Sequence, residues 1–210
     1  MFPSATVYGV DLYPPPSIWV PPNCKLEVDD ISKEWTWSRE FDLIHLRMLY
    51  GAFTPEEWAD VYKQCYDNLI PGGWIEQAEI SVVVDCDDDT LPKDSLLAGW
   101  GPNFLGCADR LGRSLDTWKI MKGDIEKAGF VDVHEKVQKL PLGTWPKDPL
   151  LKDAGKVNKE HWLAGLEGWA MWLLTHYGAP KPWSSEEVLV YVASVRKELL
   201  NPKLHIYNYG

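Results

Sequence analysis

Apolar positions along the chain alternate between two periods, short runs that suit strands and 3.6-residue stripes that suit helices. The clearest stretch is Glu40 to Ser81. Phe41, Leu43, Ile44 and Leu46 form a short apolar run, which predicts a strand covered on both faces in a parallel sheet. Thr54 precedes Pro55, whose missing N–H suits a first helical position, and Glu56 and Glu57 favour the positive end of the helix dipole. Trp58, Val61, Tyr62, Cys65 and Leu69 then follow at helical spacing and give one packing stripe. Pro71, Gly72 and Gly73 predict the helix stop and turn. Trp74, Ile75, Ala78, Ile80 and Val82 to Val84 predict the next strand, interrupted by Glu76 and Glu79. This order is one βαβ unit, and the core architecture is α/β.

The flanking segments follow the same logic. Ala5 to Leu12 predicts a strand ending on an acid, and Cys24 to Val28 a second one followed by Asp29 and Asp30. Tyr13 to Pro22 holds five prolines and predicts a stiff, extended connector. Ile31 to Arg39 reads as loop or a helical turn. Ser95 to Leu111 predicts a helix that Gly101 and Pro102 threaten to kink. Asp116 is placed to cap another helix through Ala128, closed by Gly129. Phe130 to Leu140 alternates in part and predicts a strand, and 143–148 a loop. His161 to His176 is apolar around much of its circumference, as in a buried or interfacial helix. Ser184 and Glu187 make a capping box for a helix that ends before Pro202. The segments 95–117 and 143–183 fit a helical cap on a single domain spanning 1–210.

Composition narrows the chemistry. A formal charge of −10 argues against broad binding to nucleic acid, because phosphate contacts need clustered Lys and Arg. The 4 cysteines are scattered without a CxxC pair, so neither a zinc site nor a disulfide framework is indicated and a reducing compartment fits best. Asp85 to Asp89 has the charge of a calcium loop without its spacing. No apolar run suits a membrane span, and the first residues lack the regions of a secretion signal. The chain therefore reads as intracellular, cytoplasmic or nuclear. The 12 tryptophans exceed what one core of this size needs, so several are expected to line a groove or partner surface.

Candidate site residues lie at strand ends, where open α/β sheets bind ligands. Asp11 is placed to accept from the two ribose hydroxyls of a nucleoside cofactor, with Leu12 beside it; the alternative is an ordinary turn aspartate. Asp29 or Asp30 fits an adenine amino group equally as well as a helix cap or solvated turn. His45 reads as a general base or a hydrogen-bonded strand-end histidine. Arg47 suits a clamp on a carboxylate of the cofactor or of a nearby Asp.

The stretches VYGVDL, WVPPNC, DLIHLR, NLIPGGWIEQAE, AGF and LPLGTWPKD resemble the fungal LaeA-like methyltransferases, a class I S-adenosylmethionine-dependent family associated with secondary metabolism. The resemblance runs from Ala5 to Leu200. It implies a seven-stranded Rossmann-like sheet in which Asp11 holds the cofactor ribose, Asp29 and Asp30 lie beside adenine, and His45 to Met48 border the methionine moiety. The helices after Ser95 then shape the acceptor pocket, with Tyr50 and Trp100 as candidate substrate residues. The implied partners are S-adenosylmethionine and a small-molecule or protein methyl acceptor, and the reaction needs no metal. The family's DxGxGxG strand has no counterpart in this sequence, and Tyr207 to Gly210 is short for a closing hairpin. The expectation is therefore an incomplete sheet, missing its first βα unit and part of its last strand, and open to a homo- or hetero-oligomeric partner. A catalytically inactive homologue serving as an interaction protein through Trp162 to Trp172 is the alternative reading, and a nicotinamide-dependent oxidoreductase, which lacks its own glycine fingerprint, ranks below both.

Overall fold

A computed structural model describes residues 3–13 and 20–210. The proline-rich stretch 13–22 falls largely on 14–19 and so lies outside the described residues. The βαβ unit forms as β3 (Phe41–Arg47), α1 (Pro55–Asp67) and β4 (Leu69–Ala78), with β3 and β4 parallel. Local chemistry starts α1: Thr54 Oγ1 accepts from Glu57 N–H at 3.3 Å while the Glu57 carboxylate accepts from Thr54 N–H at 2.8 Å. Trp58, Val61, Tyr62 and Cys65 are buried, so the stripe packs as its spacing requires.

Three expectations for this unit need correction. The helix ends at Asp67 with Asn68 as its cap, several residues before the Pro-Gly-Gly run. That run instead forms an irregular part of β4, because Leu69 pairs with Phe41 and Trp74 already pairs with Leu43. Gly72 takes φ +83° there, a conformation that glycine adopts without steric cost. Second, β4 stops at Ala78; Val82 and Val84 are buried from a loop. Third, only one face of the pair is covered. Leu46 is buried, whereas Leu43 and Trp74 on the opposite face are 55% and 62% exposed.

Around this unit, β1 (Val7–Asp11) pairs in parallel with β2 (Cys24–Val28), from Val7 opposite Cys24 to Asp11 opposite Val28. Among the described residues, β1 pairs only with β2 and β3 only with β4. The seven strands thus lie in three separate ladders rather than one continuous sheet. The third ladder is antiparallel and places β7 (Ile206–Tyr209) between β5 (Asp85–Cys86) and β6 (Lys139–Pro141). The chain's last strand is therefore the centre of its own small sheet. The long strand expected over Phe130 to Leu140 is reduced to Lys139–Pro141, because most of the side chains before it stay exposed and give no buried face to pair on. The acids at 85–89 serve this sheet: Asp87 pairs with Lys139 and accepts from Tyr207 Oη, and Asp88 pairs with His205.

The remaining helices build the larger core. α2 (Leu96–Leu111) runs unbroken through Pro102. Gly101 lets the backbone of Val83 come close, since a Cβ at that glycine would sit 2.8 Å from Val83 Cα. Its first amides, Leu96 and Leu97 N–H, donate to Glu198 of α5 (Ser185–Leu199) at 3.2 and 3.0 Å. α3 (Thr117–Lys127) begins after Asp116, but Asp116 makes no capping bond from its side chain and instead pairs with Lys119. α4 (Pro149–Tyr177) is 29 residues long and starts twelve residues before the apolar periodicity does, because Asp148 caps it by accepting from Leu151 N–H at 3.0 Å. Trp100, Phe104, Trp162, Leu166, Val188 and Val195 pack together between α2, α4 and α5. A separate cluster joins β3, α1 and α3 through Leu46, Trp58, Val61 and Ile125. Among the described residues no helix is long and apolar enough to cross a membrane, and no group of three or more metal-ligating side chains comes together.

Candidate functional site

The site is organised by the turn that follows β3. Met48 has φ +57°, a left-handed conformation that a non-glycine residue rarely adopts. The turn is held by a carboxylate just past the end of β4. Glu79, 4% exposed, accepts from Leu49 N–H at 3.1 Å and Tyr50 N–H at 3.2 Å. Gln77 Nε2 donates to the same carboxylate at 3.0 Å, and Tyr62 Oη donates to Gln77 Oε1 at 2.7 Å. Burial pushes the Glu79 carboxyl above its ordinary range, opposed by those donated hydrogen bonds. Tyr50 is pushed up to about 12 by burial and by the neighbouring Glu79 charge, so its phenol stays protonated near neutral pH. The sequence gives Glu79 only as a polar break in a strand; its alternation with Ile75 and Gln77 on the covered face was the available signal.

Two cavities meet at this turn. The first, about 200 Å³, lies between β1 and β3 and is lined by Asp11, Tyr8, Trp35, Trp37 and the run from Leu43 to Arg47, together with Leu49. Asp11 closes β1, and its Oδ1 accepts from Tyr13 N–H at 2.9 Å, while Oδ2 has no hydrogen-bond partner among the described residues. His45 Nδ1 is 2.7 Å from the Glu76 carboxylate across the β3–β4 ladder, the arrangement of a hydrogen-bonded strand-end histidine. Arg47 lines the cavity and makes no ion pair among the described residues. Trp35 and Trp37 pack edge to face at 5.1 Å, and Trp37 packs against Phe41 at 5.7 Å.

The second cavity, also about 200 Å³, begins at Tyr50 and Gly51 and continues between α2 and α4. Gly51 has φ +74°, and its amide donates to Ser114 O at 2.8 Å. Arg113 holds this corner by donating to Ala52 O and pairing with Glu57 at 3.1 Å.

The structure therefore brings Asp11, His45 and Arg47 to one cavity and Tyr50 and Trp100 to the other. It leaves three candidates outside both linings. Leu12 is 72% exposed. Asp29 accepts from Asp30 N–H, and Asp30 accepts from the backbone and hydroxyl of Ser32, which lowers its pKa. These two are turn-forming carboxylates of the kind strand ends often carry. Trp162 and Trp169 line the second cavity; the sequence offers them only as part of a buried or interfacial helix, because a helical aromatic stripe does not mark a cavity.

No protein-family model matches the chain. The chain is similar to methyltransferase pytC of Aspergillus terreus, 34% identical over 199 residues, 95% of this chain and 60% of that protein. It is also similar to the secondary metabolism regulator LAE1 of Cochliobolus heterostrophus, 37% identical over 209 residues, 98% of this chain and 66% of the relative. A third relative is the protein-methionine methyltransferase laeA of Emericella nidulans, 29% identical over 211 residues, 99% of this chain and 54% of the relative. The chain thus spans less than two thirds of the length of these proteins. The similarity covers the strands, the turn and both cavity linings alike, and an α/β arrangement of five helices and small sheets fits a class I methyltransferase-like fold. This chain is a homologue of the fungal LaeA-like and related methyltransferases.

Proposed function

We propose that this chain carries the cofactor side and the acceptor side of an S-adenosylmethionine-dependent methyltransferase of fungal secondary metabolism. One observation carries the reading: consecutive residues, Leu49 and Tyr50, line two different cavities at the carboxyl ends of parallel strands, which is where α/β sheets bind ligands. Asp11 supports a cofactor in the first cavity, since it lines that cavity and its Oδ2, without a partner among the described residues, suits a ribose hydroxyl. Trp35, Leu43 and Ile44 suit an apolar ring there, and Arg47, without an ion pair among the described residues, suits a carboxylate. When bound, S-adenosylmethionine supplies an activated methyl group. This chain's contribution is to position and desolvate, and the Glu79 bonds to Leu49 and Tyr50 N–H hold the dividing turn in register for that.

We further infer that the sheet takes one more parallel strand between β1 and β3. The support is that each of these strands pairs on one side only among the described residues and that the first cavity lies between them. Leu43 and Trp74, exposed on one face of the ladder, fit a missing covering layer. Paired backbone on both sides would also order the cofactor cavity.

The test is hydrogen–deuterium exchange with and without S-adenosylhomocysteine. Protection should concentrate on 7–13 and 43–50. Protection confined to other segments overturns the placement of the cofactor.

A further inference from the structure

We propose that the second cavity binds a flat, uncharged, conjugated small molecule carrying a hydrogen-bond-accepting oxygen, and that this is the class of molecule presented to the adjoining cofactor cavity. The inference rests on the methyltransferase reading only for the word acceptor, because binding is measurable without cofactor or methyl transfer.

The lining selects for shape first. Trp100 and Phe104 stack at 4.1 Å and 24°, Trp100 lies nearly parallel to Tyr191 at 5.9 Å and 7°, and Trp162 meets Trp169 edge to face at 5.9 Å and 87°. Trp100, Phe104 and Trp162 are 1–4% exposed, so these rings are fixed by packing and cannot rotate to fit a rounded aliphatic guest. Flat rings gain from offset or edge-to-face contact with such walls. A cavity of roughly 150 Å³ accepts benzene, so one of about 200 Å³ admits a somewhat larger ring system.

Charge is selected against. Arg113, the charged residue of the lining, already donates to Ala52 O and pairs with Glu57, so a charged ligand would find no counter-ion. A polar group open to a ligand is the Tyr50 hydroxyl: Tyr50 lines the cavity's end beside the turn, its hydroxyl makes no hydrogen bond among the described residues, and burial keeps it protonated. An oxygen acceptor on the ring answers this donor.

The alternative occupant is a methionine side chain of a protein, which also packs on aromatic rings. The experiment is equilibrium dialysis of this chain with 2-naphthol, naphthalene and N-acetylmethionine methylamide as probes, followed by saturation-transfer NMR. The 2-naphthol should bind, tighter than the methionine probe by tenfold or more. Tyr50→Phe, which keeps the ring and removes the hydroxyl, should weaken 2-naphthol about fivefold, the worth of one neutral hydrogen bond, and leave naphthalene unchanged. Trp172→Ala, a truncation at the half-exposed rim that spares the core, should weaken both aromatic probes. Tighter binding of the methionine probe, or no binding of 2-naphthol, overturns the proposal. Equal loss of naphthalene and 2-naphthol in Tyr50→Phe overturns the donor assignment.

Discussion

Glu79 shows how a single side chain sets the geometry of a site. It is buried and has no cationic partner among the described residues; its compensation is the set of N–H groups from Leu49, Tyr50 and Gln77. Glu79→Ala should cost about 3 kcal/mol in urea unfolding, because the two turn amides then lose their acceptor inside the protein. The pH dependence has a definite sign. Burial raises the folded pKa above the ordinary 4.5, so between the two values the folded state binds more protons. Stability from this group is full below the unfolded value and is lost as pH rises through the folded one. The opposite sense holds for Asp87 and Asp88, which Lys139 and His205 hold low; their contribution is present above about 3.8 and lost as pH falls. Subtracting the stability of Glu79→Gln from that of the wild type between pH 4.5 and 7 isolates the Glu79 part. A wild-type advantage that shrinks as pH rises is the expected outcome, and one that grows contradicts the burial assignment.

At the scale of elements, two of the three glycines of α2, Gly99 and Gly101, make a matched pair. Gly99 has nothing within 4 Å of a Cβ added there, whereas one at Gly101 would lie 2.8 Å from the backbone of Val83. Alanine in a helix is favoured over glycine by about 1 kcal/mol, so Gly99→Ala should stabilise the fold by nearly that amount. Gly101→Ala should destabilise it by about 2 kcal/mol, since overpacking against backbone outweighs propensity. Thermal melts of the two variants should move in opposite directions; a shared direction would mean α2 does not pack on 82–84. Much of this level was legible in the sequence. Thr54 with Glu57 and Ser184 with Glu187 are complete capping boxes written in four residues each, and the stripe of α1 is unambiguous. What the sequence did not disclose depends on tertiary partners. Pro71 to Gly73 reads as a turn, but pairing of Leu69 with Phe41 draws it into β4. Residues 130–138 alternate enough to suggest a strand, yet among the described residues only Gln138 exchanges backbone hydrogen bonds with a neighbour, at Gly210. The apolar pattern of α4 begins late because its first turns are more exposed, and the cap at Asp148 followed by Pro149 marks the true start.

For the whole molecule, strand-end acids were readable as candidates but not separable. Asp11, Asp29 and Asp30 share the same local signature, and only the placement of β1 opposite β3 sends Asp11 into a cavity while the other two close turns. The second cavity was half legible: Tyr50 and Trp100 are candidates that the family resemblance implies, but Trp162 and Trp169 enter it through the packing of α4 on α2. The two cavities on either side of one turn are the basis for the proposal that in this homologue of fungal methyltransferases a cofactor and an acceptor meet there. Calorimetric titration of the 210-residue chain with S-adenosylhomocysteine, alongside Asp11→Ala, tests that most directly. The account predicts micromolar binding by the wild type and at least tenfold weaker binding by the variant; no binding up to millimolar ligand, or equal affinity of the two proteins, would contradict it.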